Sequence, residues 1–116
     1  MKLDVRRKGS VAIVDIEGPL DGEAGGPSEL RARVREILDG GASGLVLNVD
    51  RIPTTDSLTL AAVVQAHIDA SRRGLALKLL RAGPRLRELL RVTKLDTVIE
   101  LFDSEEAAVA SVGPQA

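Results

Sequence analysis

At residues 45–60 the chain reads LVLNVDRIPTTDSLTL, and this segment places a strand shortly before a helix. The run Leu45–Val49 is almost wholly apolar, which is typical of a central strand that is covered on both faces. Beyond a short polar stretch, apolar side chains recur at helical spacing at Leu60, Val64 and Ile68. The segment therefore predicts one strand–loop–helix unit of an α/β sheet.

Ser57 stands at the predicted start of this helix, directly after Asp56. Serine is a favoured N-cap, because its hydroxyl oxygen accepts a hydrogen bond from a free backbone N–H of the first turn. The same helix end carries partial positive charge and tolerates a phosphate group. Two interpretations of Ser57 follow, a plain helix cap and a phosphorylation switch.

The composition excludes several classes of function. The chain has 116 residues, 44% of them hydrophobic, which suits the packed core of one domain. One Phe is the only aromatic residue, so we expect a core of Leu, Val, Ile and Ala and no base-stacking surface. The net charge of −1 gives no global attraction to nucleic acid or to an anionic membrane. The absence of cysteine excludes disulfides and thiolate metal sites.

Neither a secretory signal nor a membrane span is recognisable in the sequence. The first residues lack the apolar segment of a signal peptide. No apolar run approaches the roughly 18–20 residues that cross a bilayer. We therefore expect a cytoplasmic protein.

The order of predicted elements is β-β-α-β-α-β-α-β-α, with glycine and proline signals between them. Strands are expected at residues 3–5, 11–16, 45–49, 75–80 and 98–102, and helices from Ser28, from Ser57 to about Arg73, from Pro84 and after Asp103. Strands that alternate with helices after an opening hairpin predict an α/β fold, with a mostly parallel central sheet and about four helices. We expect a single domain over residues 1–112 and a frayed tail over residues 113–116.

Three groups of residues carry chemistry in other proteins. His67 lies ten residues beyond Ser57 in the same helix, about 15 Å away, which is too far for it to act as a base there. Asp21 and Asp56 offer a carboxylate pair for acid–base work, although loop carboxylates that cap turns are the commoner case. The glycines within residues 40–44 lack the lysine of a P-loop and precede a strand, so they indicate a helix stop and a turn.

A basic stretch follows the predicted strand at residues 75–80. It is typical of a solvated helix face, and a partner-docking surface is the alternative. The stretch consists of Arg81, Arg85, Arg87, Arg91 and Lys94. Because the chain has a single histidine, no second one supports a metal site.

Four stretches, in this order along the chain, resemble the STAS domain. This is the fold shared by bacterial anti-sigma-factor antagonists and by the cytoplasmic tails of sulfate transporters. The stretches are Ile16–Asp21 (IEGPLD), Leu45–Asp50 (LVLNVD), Thr55–Leu60 (TDSLTL) and Pro84–Ala107, and they are spread over residues 16–107 of the chain. The resemblance implies a STAS-type fold.

The resemblance also implies a function. In antagonists of this family, the serine directly after the aspartate is phosphorylated by a partner anti-sigma kinase, and the unmodified antagonist binds that kinase and frees the sigma factor. Carried over, this makes Ser57 the phosphorylation site and gives a partner-binding surface of Asp21, Asp56, Ser57, Leu58 and Thr59. The implied partners are the kinase and a phosphatase. We expect no catalytic activity, no cofactor or metal, no direct nucleic-acid binding, no membrane insertion, and a monomer or weak dimer.

The phosphorylation motif departs from the usual Asp-Ser-Ser/Thr-Gly-Leu-Gly of the family. Leu58 replaces the second hydroxyl residue, and Thr59 and Ala61 replace the two glycines. Glycine lets a partner's backbone approach closely, and Thr59 removes that freedom. A hydroxyl residue followed by bulky residues also occurs in the family's stressosome scaffold proteins. A structural STAS subunit, of such a scaffold or of a membrane transport complex, is therefore the alternative function.

Overall fold

The computed structural model describes residues 2–18, 26–53 and 56–112, and within these ranges the chain forms one five-stranded sheet and four helices. The strands are β1 (Lys2–Lys8), β2 (Val11–Glu17), β3 (Gly44–Arg51), β4 (Leu77–Leu80) and β5 (Leu101–Phe102). The helices are α1 (Gly26–Asp39), α2 (Ser57–Ser71), α3 (Pro84–Val92) and α4 (Glu105–Val112), with a 3₁₀ turn at Leu95–Thr97. Helix α1 begins two residues before the predicted Ser28, and the predicted tail lies outside the described residues.

The strands lie in the order β1-β2-β3-β4-β5, with β1 at one edge of the sheet. Five of the seven residues of β1 are charged. β1 pairs with β2 in an antiparallel hairpin whose tight turn includes Gly9 at φ +60°, and the other neighbouring strands are parallel. Parallel pairing needs long crossovers, which α1, α2 and α3 provide. The predicted α/β fold, mostly parallel after an N-terminal hairpin, is confirmed.

The last strand is shorter than its apolar sequence predicts. The sequence predicts a strand over residues 98–102, but only the last two of these belong to β5. The backbone N–H groups of Val98 and Ile99 donate to the carbonyl oxygen of Leu95, at 3.0 and 2.8 Å, and so cannot pair with β4. The Ile99 side chain is fully buried. Ile99 is therefore buried in a turn that packs into the core, and it does not belong to a strand.

The end of α2 and the start of β4 also differ from the prediction. The helix ends two residues before Arg73, and the strand begins two residues after Leu75. The backbone N–H of Leu75 donates to the carbonyl oxygen of Ala70 at 3.0 Å, across Gly74 at φ +70°. Hydrogen bonds of this kind terminate a helix, so the apolar Leu75 belongs to the end of α2.

The buried core is aliphatic, as the composition predicts. Every buried hydrophobic side chain among the described residues is Leu, Ile, Val or Ala. Most of them form one cluster between the sheet and helices α1, α2 and α3, with Ile16, Leu47 and Leu79 among its members. These three helices therefore cover one face of the sheet, and burial of this apolar surface supplies most of the driving force for folding.

Helix α4 covers part of the opposite face. Its residues Ala108 and Val112 pack with four strand residues, which are Val11, Ile13, Val46 and Leu80. The approach is close at Gly44, where a Cβ atom would lie 2.8 Å from both the Cβ and the carbonyl oxygen of Val112. Glycine is therefore required at the start of β3 for α4 to sit this near the sheet.

An ion-pair cluster joins α4 to the first two strands. The Arg6 guanidinium donates through Nε and Nη2 to both carboxylate oxygens of Asp15, at 2.6 and 3.0 Å. It also donates to both carboxylate oxygens of Glu105, at 2.5 and 3.2 Å. Asn48 Nδ2 donates to Asp15 Oδ1 at 2.9 Å. These hydrogen bonds, first among them those from Arg6, hold the pKa of Asp15 and the pKa of Glu105 below their usual ranges.

The substitution Arg6→Gln is expected to destabilise the protein and to flatten its response to acid. Lowered carboxylate pKa values stabilise the fold above the unfolded-state values of about 3.9 and 4.3, and this contribution is lost as the pH falls through the folded-state values. At pH 7 we expect a loss of about 1–2 kcal/mol, because the Arg6 side chain is 40% exposed and partly screened. Urea unfolding at pH 7 and at pH 3, followed by far-UV circular dichroism, measures both effects.

The matched control for this prediction is Arg7→Gln, because Arg7 is the next residue of β1 and is exposed. We expect its free energy of unfolding to stay within about 0.5 kcal/mol of the wild type at both pH values. Equal losses for the two variants at pH 7 would contradict the role given to the Arg6 cluster.

Candidate functional site

The N-terminal end of α2 lies at the edge of the sheet where the parallel strands end. β2 and β3 are parallel neighbours, so the loops that follow them leave the sheet at the same edge. The backbone N–H of Gly18, just after β2, donates to the carbonyl oxygen of Arg51 at the end of β3, at 3.1 Å. The start of the loop that carries Asp21 therefore lies beside the segment that leads to Ser57. Asp21 itself lies outside the described residues.

Asp56 is the N-cap of α2. Its backbone is extended, and its Oδ1 atom accepts hydrogen bonds from the backbone N–H groups of Leu58 and Thr59, both at 3.0 Å. One carboxylate thus satisfies two of the free N–H groups of the first turn and places negative charge at the positive end of the helix. The interpretation of Ser57 as a plain helix cap is wrong, because Asp56 is the N-cap and Ser57 is already the first helical residue.

Ser57 presents a hydroxyl that the helix does not use. The residue is exposed, and within residues 2–18, 26–53 and 56–112 its side chain takes part in no hydrogen bond or ion pair. An exposed, unengaged hydroxyl at a helix N-terminus can be modified without the loss of a structural hydrogen bond. The added phosphate would then lie near the positive end of the helix dipole.

The next two side chains point in opposite directions. Leu58 is 45% exposed, which is unusual for a leucine in this small domain. Thr59 is 1% exposed, and its hydroxyl lies 3.3 Å from Asp56 Oδ1. The structure therefore brings Asp56, Ser57 and Leu58 together at the surface and places the Thr59 side chain beneath them, against the cap.

A shallow depression next to Ser57 is a feature that the sequence analysis does not predict. It has a volume of about 240 Å³ and lies between α1 and α2. It is lined by Ser28, Arg31, Leu58, Ala61, Ala62 and Gln65. The lining residues from α2 have the spacing of one helix face, which can be recognised in the sequence. The contribution of the α1 residues depends on how the two helices pack, and the sequence does not indicate this.

The other sequence candidates have structural roles or remain without one. The glycines of the segment 40–44 end α1 and start β3, with Gly41 at φ +95° in the turn, as predicted. His67 lies within α2 away from Ser57, and its buried Nδ1 atom has no hydrogen-bond partner among the residues that the structure describes. Of the basic stretch, Arg87 binds Asp103 and the carbonyl oxygen of Ala82.

Two further findings concern the described part of the chain. It contains no group of three or more His, Cys, Asp and Glu side chains placed to hold a metal ion. None of its helices combines the length and the apolar character needed to cross a membrane.

The cap assignment predicts a difference in stability between two neighbouring variants. Asp56→Ala removes the acceptor for two backbone N–H groups, and we expect the free energy of unfolding to fall by about 1 kcal/mol. Ser57→Ala removes an unengaged hydroxyl, and we expect a change within about 0.5 kcal/mol. Urea unfolding followed by far-UV circular dichroism makes the comparison. A larger loss for Ser57→Ala than for Asp56→Ala would show that the serine is the cap.

Comparison with known proteins places this geometry in a family. The family model of the STAS domain matches residues 2–108. A Thermotoga maritima protein assigned as an anti-sigma factor antagonist superimposes with a TM-score of 0.83, at 20% identity over 95% of this chain and 93% of that one. The Bacillus cell fate determinant SpoIIAA, an anti-sigma factor antagonist solved in its phosphorylated form, gives 0.74 at 19% identity over 97% and 100%.

A sulfate transporter family protein from Wolinella succinogenes gives a TM-score of 0.69, at 22% identity over 90% of this chain and 86% of that one. At these identities the three structures share the fold with this chain. The family model covers nearly the whole sequence and includes the four stretches that carry the sequence resemblance. The chain is a member of the STAS domain family.

Proposed function

We propose that this protein is an anti-sigma-factor antagonist, a partner-switching regulator of transcription controlled by phosphorylation of Ser57. The unmodified protein would bind an anti-sigma kinase and free the sigma factor, and the phosphorylated protein would not. Membership of the STAS family and the fold shared with proteins named as antagonists support this proposal. One of those proteins is known in a phosphorylated form.

The observation that carries the proposal is the exposed Ser57 hydroxyl on a helix that Asp56 caps. Because the Asp56 carboxylate caps the helix, a kinase can phosphorylate the Ser57 hydroxyl without breaking the hydrogen bonds of the first turn of α2. Ser57 also lies near the edge of the sheet at which β2 and β3 both end, so a partner can contact several segments of the chain at once.

Phosphorylation would act on this surface mainly through charge. It adds roughly −1.5 to −2 charges at neutral pH. The positive N-terminal end of α2 stabilises the phosphate by about 0.3–1 kcal/mol, whereas the negative Asp56 carboxylate destabilises it. We expect the fold to persist, because the group would lie at the surface. What changes is the charge and bulk that a partner meets at Asp56, Ser57 and Leu58.

The remaining properties follow from this role. The partners are a serine kinase, which supplies ATP and Mg²⁺, and a phosphatase that resets the switch. The chain itself needs no cofactor and performs no catalytic step, and it acts in the cytoplasm without binding nucleic acid or inserting into a membrane. Residues 1–112 form the functional domain, and the proposed partner-binding residues include Asp21, which lies outside the described residues.

A second candidate function is that of a structural subunit, in a stressosome-type scaffold or beside a membrane transporter. The fold shared with the sulfate transporter family protein favours the transporter case. Size-exclusion chromatography of the chain alone tests the scaffold case. A switching regulator is expected to elute as a monomer or weak dimer, whereas elution as a large assembly would support the scaffold.

Capture of partners from the native cytosol tests the proposed switch. We expect the wild type and Ser57→Ala to bind the same protein kinase, and we expect Ser57→Asp to bind it at least ten times more weakly because the substitution adds a charge that must lose water when the partner docks. Mass spectrometry identifies the kinase and, after incubation of the purified pair with ATP, the modified residue, which should be Ser57.

The control for added charge is Ser71→Asp, because Ser71 is exposed at the opposite end of α2. That end is about 20 Å from Ser57 at the helical rise per residue. This variant should bind as the wild type does. If Ser57→Asp also bound with wild-type affinity, or if the phosphate were found on another residue, the proposed switch would be wrong.

A further inference from the structure

The depression beside Ser57 has the chemistry of a docking site for one apolar side chain. Leu58, Ala61 and Ala62 lie at positions i, i+3 and i+4 of α2 and so share one helix face, which forms its apolar wall. Its volume of about 240 Å³ is below the roughly 300 Å³ at which sites for small ligands begin. It therefore suits a side chain better than a free cofactor or metabolite.

Leu58 is exposed where exposure of a large apolar side chain is uncommon. Among the described residues, the only large apolar side chains that are exposed are those of Leu58, Val92 and Val98. Single apolar residues at a surface need no explanation, but Leu58 both borders a depression and directly follows the proposed phosphorylation site. The residues that contribute most to binding at a protein interface cluster where side chains fill well-packed, desolvated pockets, and Leu58 borders a concave surface of this kind.

Arg31 is the one charged side chain among the described residues that line the depression, and it is already paired. Arg31 Nε donates to Asp69 Oδ2 at 3.2 Å, and Gln65 Nε2 donates to Asp69 Oδ1 at 3.2 Å. The Asp69 side chain is only 4% exposed, so it neutralises Arg31 from below. Among its described lining residues the depression therefore offers no uncompensated charge to a charged ligand, and it favours an uncharged, apolar occupant.

We propose that the kinase which reads Ser57 inserts an apolar side chain between α1 and α2, against Leu58 and Ala61. This inference rests on the proposed function and names the contact through which the switch acts. Docking against Leu58 removes water from the neighbouring residue, Ser57. A phosphate there holds its water strongly, so phosphorylation and docking exclude each other. Leu58, which departs from the family motif, thereby links the modification to binding.

The test uses the purified kinase that the wild-type chain captures, with dissociation constants measured by calorimetry. Leu58→Gln keeps a long side chain of good helix propensity and removes its apolar character. We expect it to weaken binding at least tenfold, and Leu58→Met to restore affinity to within threefold of the wild type. Val92→Gln and Val98→Gln are the matched controls, because they change exposed valines elsewhere on the surface, and should stay within twofold.

A double-mutant cycle measures the link between the two residues. If phosphorylation acts by opposing the docking contact, Ser57→Asp should weaken binding by a smaller factor in the Leu58→Gln background than in the wild type. Equal factors in the two backgrounds would overturn the link.

The outcomes separate this inference from the function on which it rests. Wild-type affinity of Leu58→Gln, with binding still lost in Ser57→Asp, would overturn the docking contact and leave the switch intact. Loss of binding in Leu58→Gln, with no effect of Ser57→Asp, would keep the contact and overturn the phosphorylation switch. If no kinase bound the wild-type chain, both would be wrong.

Discussion

The hydrogen bonds that the Asp56 carboxylate accepts from the first turn of α2 determine how the candidate site is built. They set the first helical residue at Ser57, and helical geometry then turns Leu58 outward and Thr59 inward. Because the carboxylate satisfies two backbone N–H groups, the serine oxygen is not needed for folding. If one residue were both the cap and the phosphorylation site, its modification would change the stability of the helix. In this chain the cap is Asp56 and the proposed phosphorylation site is the adjacent Ser57.

Much of the fold is predictable because its signals are local. The run Leu45–Val49 and the helical spacing after it need only a few neighbouring residues to be recognised, and the alternation of strands and helices then limits the topology. Prediction failed where packing decides. The apolar residues Leu75 and Ile99 look like strand residues in sequence, but their backbone N–H groups close turns while the core accommodates them. The spacing of apolar residues indicates which side chains are buried, but it does not indicate which carbonyl oxygen a backbone N–H group binds.

The site was harder to predict than the fold because its details depend on backbone conformation and on distant contacts. Asp56 and Ser57 are equally good N-caps by residue type, and the choice rests on the extended backbone of Asp56, at φ −140° and ψ −169°. The pairing of Arg31 with Asp69 joins residues 38 positions apart, and that of Arg6 with Glu105 joins residues 99 positions apart. No spacing rule along the chain predicts such pairs.

Among the described residues, strand β1 lies at an edge of the sheet and pairs only with β2, and its composition has a consequence for self-association. An unpaired edge strand can recruit another chain and extend the sheet from molecule to molecule. Five of the seven residues of β1 are charged, so two copies brought edge to edge would have to desolvate these side chains. The hairpin that opens the fold therefore also protects it against fibril-like assembly.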